Sequence, residues 1–159
     1  MKQTSVGTIS ALFISPKGSS IRETQPSIHL NLKGIPQDKF YDKDIQRSVL
    51  ITSKESYTLA QKHHIEMPYG SLGENLLIDY NPYHLPSGTQ LSIGTCILQI
   101  SQNCTLCDHL SSIDKRLPAL LKHDRGIFAK VIQEGEIKED DEIFIIEKPL
   151  HHNLYISKP

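Results

Sequence analysis

Two of the three cysteines in this chain stand three residues apart in the segment ISQNCTLCDHL, residues 100–110. Cys104 and Cys107 directly follow a strand-like run, TCILQIS, at 95–101. A strand that ends in a loop fixes the backbone and presents the side chains after it, which suits a thiolate acting as nucleophile or soft ligand. The Cys-x-x-Cys form has several readings. One is a redox pair of the thioredoxin kind, which belongs in a βαβ context that the flanking pattern lacks. Another is half of a zinc site completed by His109, with His123 as a fourth ligand unsupported by spacing. The plain reading is two small buried hydrophobes, and Cys96, inside the strand, fits that reading.

Two further segments carry chemically useful groups. In Gly73-Glu74-Asn75-Leu76, Gly73 permits an unusual backbone angle, and Glu74 and Asn75 stand just before an apolar strand. They serve either as turn chemistry, with Asn75 bonding backbone, or as the polar wall of a pocket that orients an anionic or heteroaromatic ligand. In Arg125-Gly126, the glycine allows close backbone approach and the arginine offers a fork for phosphate. A plain surface arginine is the alternative.

The elements that position these groups are short. Apolar and β-branched runs at 6–14, 27–32, 47–51, 75–78, 89–94, 95–101, 127–133 and 142–147 read as strands separated by Gly, Pro and Asn turns. Residues 33–46 read as a loop. Ser53 reads as the N-cap of a helix over 54–63, 117–122 suits one or two helical turns, and any further helix is confined to the region 110–122. No βα repeat appears, so the pattern predicts a mainly β protein, a closed or nearly closed barrel with one or two short helices. The chain of 159 residues fits one domain over 1–147, followed by a tail at 148–159.

Composition narrows the partners. Seventeen basic and eighteen acidic residues give a net charge of -1 without a basic run, which argues against nucleic acid. No apolar stretch approaches the roughly 20 residues that span a bilayer, so no membrane is expected. The N-terminus has no apolar signal core, and a cytoplasmic location with reduced cysteines follows as the expectation.

Taken in order, the motifs resemble the MOSC domain, named for the C-terminal domain of molybdenum cofactor sulfurase. The resemblance is carried by Val6-Gly7-Thr8-Ile9 with Ser15-Pro16, by Gly34-Ile35 through Asp38, and by Arg47-Ser48-Val49-Leu50-Ile51. It continues through Gly73-Glu74-Asn75-Leu76, Gly88 to Gly94 and Leu98 to Ser101. Arg125 to Val131, Gly135-Glu136-Ile137 and Asp141-Glu142-Ile143 complete it. Cys107 stands seven residues after Ile100, where the family carries its cysteine. Asn103, Cys104 and Leu106 occupy places where many members have proline and arginine, and Asp140 replaces a usual glycine.

The resemblance implies a stand-alone MOSC barrel that binds molybdenum cofactor through Cys107 or carries sulfur there as a persulfide. Reduction of N-hydroxylated compounds is the activity it suggests. It implies Glu74, Asn75, Arg125, Lys130 and Arg47 as cofactor-binding residues, and Cys107 as the molybdenum ligand. Its partners are a sulfur donor such as a cysteine desulfurase, or a redox partner that supplies electrons, since no flavin or iron–sulfur signature is visible. The rival readings are a pure sulfur carrier, a non-catalytic cofactor chaperone, and a zinc-stabilised β-domain. Cys104 is an additional thiol, a resolving partner for Cys107 or a second ligand.

Overall fold

A computed structural model describes residues 3–19, 22–105 and 108–147. Cys107 and the segment 148–159 lie outside the described residues. The elements in chain order are β1 (Gln3–Ile14), β2 (Glu23–Gln25), β3 (Ser27–Leu30), a 3-10 turn (Ile45–Arg47), β4 (Val49–Ser53), α1 (Lys54–Lys62) and β5 (Leu76–Ile78). Then follow β6 (Gln90–Ile93), β7 (Cys96–Asn103), α2 (Asp108–Ile113), α3 (Leu117–Leu120), β8 (Ile127–Gln133), β9 (Gly135–Lys138) and β10 (Glu142–Ile146).

The main sheet runs β10-β6-β7-β8-β4-β5-β1-β2, and an additional pairing of β10 with β1 closes seven of these strands into a barrel. β2 extends the far end of β1, and β3 pairs with β9 in a separate two-stranded sheet. Alternation fills the barrel: Val49 and Ile51 of β4, Leu98 and Ile100 of β7, and Ile127, Ala129 and Val131 of β8 all join one buried cluster. Cys96 is part of it, as its place within a strand predicts. The opposite residues of the same strands face outward, where α1, α2 and α3 cover part of the sheet. Tyr57, Ala60, Leu110, Leu117 and Leu121 pack there with Phe13 and Leu77.

β4 and β5 form the one parallel pair among the described strands, with Ile51 opposite Leu76. Parallel neighbours need a crossover, and α1 supplies it. Its cap is the expected one: the Ser53 hydroxyl accepts from the Glu55 amide at 3.0 Å. The expected helical stretch at 110–122 divides in two, and Pro118 opens α3 where its missing N–H costs nothing. β2 has no counterpart in the sequence reading, and β9 corresponds to Gly135-Glu136-Ile137, which only the family resemblance matches to a closing strand. Their sequences, ETQ and GEIK, are mostly polar, and their strand character comes from pairing with β1 and β3.

Candidate functional site

The barrel brings the separated motifs together along neighbouring strands. Asn103 of β7 lies opposite Ile127 of β8, Ile127 opposite Ile51 of β4, and Ile51 opposite Leu76 of β5. The segments that carry chemistry join this row at strand ends: Cys104 leaves β7, Arg125-Gly126 enters β8, and Glu74-Asn75 enters β5. Main-chain bonds fix the contacts. The Cys104 amide donates to the Gly126 carbonyl at 3.0 Å, and the Asn75 amide to the Leu50 carbonyl at 2.8 Å. Gly126 has to be small, because a Cβ there meets Leu50 Cδ1 at 2.9 Å and Thr52 Oγ1 at 3.1 Å.

Glu74 is fully buried, at 0% exposure. Its Oε2 accepts from the Tyr57 hydroxyl at 2.7 Å and the Gly70 amide at 3.0 Å. Its Oε1 has no hydrogen-bond partner among the described residues. Gly70 and Gly73 both adopt positive φ, +95° and +88°, and so turn the chain tightly around the carboxyl. Burial pushes the Glu74 carboxyl above the usual glutamate range; the bonds from Tyr57 and Gly70 and the charge of Arg22 pull it partly back. The Tyr57 phenol is raised too, by burial first and then by Glu74.

Asn75 is fully engaged in holding backbone. Its Oδ1 accepts from the Leu50 amide at 3.0 Å, and its Nδ2 donates to the Phe13 carbonyl at 3.2 Å and to Asp38 Oδ1 at 3.4 Å. This is the turn-chemistry role: Asn75 ties β1, β4 and the 33–46 loop beside Glu74.

Arg125 is not a surface residue, at 7% exposure. Its Nη2 donates to the Leu72 carbonyl at 3.1 Å, while Nε and Nη1 find no acceptor among the described residues. Arg125 and Glu74 thus both hold to the 70–75 turn, each with polar atoms that have no partner among the described residues.

Lys130 and Arg47 stand on the Phe128 side of β8, where Phe128 packs with Cys104 and Leu50. Lys130 is half-buried on β8, two positions beyond Phe128, and the Arg47 guanidinium sits 5.5 Å from the Phe128 ring centre and 3.9 Å from Asp44. Neither makes a hydrogen bond or ion pair with Glu74, Asn75 or Arg125. Cys104 is 4% exposed and packs between Leu50 and Phe128. The Cys96 thiol is pushed up to about 12, by burial first and then by Asp141 and Glu136. No three His, Cys, Asp or Glu among the described residues gather where they could hold a metal ion.

Three participants escaped the sequence. Arg22 donates to the Glu74 carbonyl through Nε at 3.1 Å and Nη2 at 2.8 Å, and to the Ser15 hydroxyl through Nη1. Burial lowers its pKa, with Asp38 and Glu74 opposing that shift. Asp38, noted only as part of a loop motif, accepts from the Ser15 amide at 2.7 Å and the Phe40 amide at 3.1 Å. Tyr57, on α1, gives the Glu74 carboxyl its closest partner, and its hydroxyl also accepts from the Gly70 amide at 3.0 Å and the Leu72 amide at 3.2 Å. No pattern in the sequence singles out Arg22.

The raised Glu74 carboxyl has a measurable consequence. Below the unfolded value of about 4.3 its contribution to folding is complete. As pH climbs past that value the unfolded chain releases a proton that the folded chain retains, so stability falls until the folded carboxyl ionises as well. Glu74→Gln cannot ionise. Its stability relative to the parent therefore rises as pH increases above about 4.3, by on the order of 1.4 kcal/mol per unit of pKa difference. Urea unfolding from pH 4 to 8 checks this; a pH-independent difference between the two proteins removes the buried acid from the account.

The comparisons with known proteins agree with this architecture. A family model described as the MOSC domain matches residues 27–144. No curated protein matches the sequence. Among solved structures, the YuaD protein of Bacillus subtilis aligns with a TM-score of 0.79 at 17% identity, covering 91% of this chain and 97% of its own. YiiM from Geobacillus stearothermophilus aligns with a TM-score of 0.70 at 15% identity over 89% of this chain and 75% of its own. YiiM from Escherichia coli aligns at 0.64 and 17% identity over 89% and 71%. At such identities the likeness is one of fold. The family model spans well over half of the chain, and its strands are those that carry Glu74, Asn75, Arg125 and Cys104: the chain belongs to the MOSC domain family.

Proposed function

We propose that this protein uses the Cys107 thiolate to bind the molybdenum cofactor or to carry sulfur as a persulfide, and through the bound cofactor supports reduction of N-hydroxylated compounds. Family membership supports the reading, and one structural observation favours it most: a buried guanidinium, Arg125, whose Nε and Nη1 donors have no partner among the described residues. Free donors on a fixed cation suit a ligand that brings negative charge and acceptor oxygens, as the cofactor's phosphate does. The residues present therefore fit such a group.

In this reading Arg125 takes the anionic part of the ligand. Arg47 and Lys130 add positive charge on the outer face. Glu74, held by Tyr57 and the Gly70 amide, supplies an oxygen with no partner among the described residues, and Asn75 fixes the strand that carries it. A thiolate is the soft ligand for molybdenum, and the cofactor when bound supplies two-electron redox chemistry. As a carrier, the Cys107 thiolate attacks the outer sulfur of a donor persulfide. A new S–S bond forms to Cys107 while the donor's S–S bond breaks, and the donor leaves as a thiolate. The partner is then a cysteine desulfurase or similar donor; for reduction it is a protein that supplies electrons.

The test is the composition of protein purified anaerobically from a host that makes the cofactor. The reading expects about one equivalent of molybdenum with pterin, or of sulfane sulfur, per chain. Zinc at that level with neither of the others overturns it in favour of a structural metal.

A further inference from the structure

Beyond α1 the chain turns back over the helix and encloses a cavity. His64 adopts φ +63°, and the Ile65 amide donates to the Ala60 carbonyl at 3.0 Å. Five residues later the Gly70 amide donates to the Tyr57 hydroxyl at 3.0 Å. The segment 65–69 is thus pinned to the helix at both ends. The cavity between it and α1 measures about 280 Å³. Tyr57 and Tyr69 line it, with Ile65, Met67 and Pro68 as apolar neighbours and Glu66 as the one charged residue. The two tyrosine rings stand at 84° with centres 5.0 Å apart. Tyr69 is 50% exposed, although it is a large aromatic. Glu66 joins none of the ion pairs among the described residues.

We propose that this cavity binds a small organic cation, an alkylated ammonium group on an apolar body. The face of an aromatic ring carries negative partial charge and attracts a cation placed over it. The Tyr69 ring already draws one ammonium, since Lys54 Nζ lies 5.9 Å from its centre without lining the cavity. Two such rings and a carboxylate favour positive charge, and no lysine, arginine or histidine among the described residues lines the space to hold an anion. The Tyr57 hydroxyl is occupied by Glu74 and by the Gly70 and Leu72 amides, which leaves its ring for the cavity. The apolar lining offers little to replace a hydration shell, so an alkylated cation is preferred to a hydrated metal ion. The inference is independent of the proposed function and needs no cofactor.

The sequence holds two methionines, Met1 and Met67, so carbon-13 labelling of methionine methyls places a reporter in the cavity. The full chain is titrated at constant ionic strength with choline and separately with its uncharged isostere, in which carbon replaces the nitrogen. The Met67 signal, assigned by its absence in Met67→Leu, is expected to shift saturably with choline. Its dissociation constant is expected to be about tenfold below that of the isostere. Tyr69→Leu keeps apolar bulk and loses the ring; Glu66→Gln loses the charge. Each weakens choline binding at least about threefold, and Glu66→Gln leaves the isostere unchanged. Lys54→Gln removes the competing ammonium and tightens choline binding. Melting midpoints close to the parent's show that these variants at exposed or half-buried positions are folded. Equal affinity for choline and the isostere overturns the proposal and leaves a plain apolar pocket. Absence of a saturable shift overturns it as well. Choline binding that survives intact in both Tyr69→Leu and Glu66→Gln places the cation elsewhere and overturns it too.

Discussion

Cys107→Ser removes the fast reaction of the protein with iodoacetamide near neutral pH, and Cys104→Ser leaves it in place. A thiol reacts as its thiolate, so a functional cysteine has to lie below the unperturbed value of about 8.5, and each unit of lowering raises the thiolate fraction about tenfold at a pH well below it. The two described cysteines are poor competitors. Cys96 faces the barrel interior with its thiol raised to about 12. Cys104 is buried between Leu50 and Phe128, its amide tied to Gly126. Labelling of single Cys→Ser variants across pH, read by mass spectrometry, is therefore expected to lose at least about tenfold in rate at pH 7 only when Cys107 is replaced. Loss in Cys104→Ser instead makes Cys104 the nucleophile. Equal loss in both variants indicates a paired redox or metal site, and no reaction in any form returns all three thiols to the buried reading.

Gly135→Ala costs about 3 kcal/mol of stability, the upper part of the range for overpacking a tight site. An added Cβ meets Thr95 Oγ1 at 2.4 Å, the Thr95 carbonyl oxygen at 2.5 Å and its carbon at 2.6 Å. Two of the three are main-chain atoms, so no rotamer change relieves the overlap. The same corner holds bonds that a shift would disturb. The Thr95 amide donates to the Glu136 carbonyl at 3.1 Å, the Glu136 amide to Thr95 Oγ1 at 2.7 Å, and Gln133 Nε2 to the Thr95 carbonyl at 3.2 Å. Together they pin the β6–β7 turn against the β8–β9 corner. For a chain of this size the loss corresponds to a fall of about 6–12 °C in the melting midpoint. Calorimetry showing a change of less than about 2 °C means the corner yields cheaply, contrary to its main-chain contacts.

The strands that were easiest to read explain why others were missed. β8 was expected at its observed bounds because Ile127, Ala129 and Val131 alternate with Phe128, Lys130 and Ile132, a period that one buried face imposes. α1 was legible through Ser53, since capping is a local contact between residues two apart. β2 had no such signal, and β9 had only its place in the family resemblance, with no alternation of its own. They are strands because β1 and β3 offer them edges, and an edge some ten to a hundred residues away leaves no trace in ETQ or GEIK.

The candidate site divides along the same line. The sequence by itself determined which residue types were present and in what order, and hence the barrel, the cap of α1, the tight turn at Gly73 and the family resemblance. Only the tertiary structure decided how those residues are used. Glu74 and Arg125 are charged types that ordinarily stay in water, and nothing local announces that both are buried. Asn75 was open to two roles until β1, β4 and Asp38 claimed its whole amide. Arg22 gained its position from a carbonyl fifty-two residues away, and Arg47 came to lie over the Phe128 ring, which packs with Cys104 and Leu50. Capping and alternation act between near neighbours and are written into short windows of sequence. Desolvation and charge balance depend on which distant segments the barrel closes over, so they exist only once it has formed.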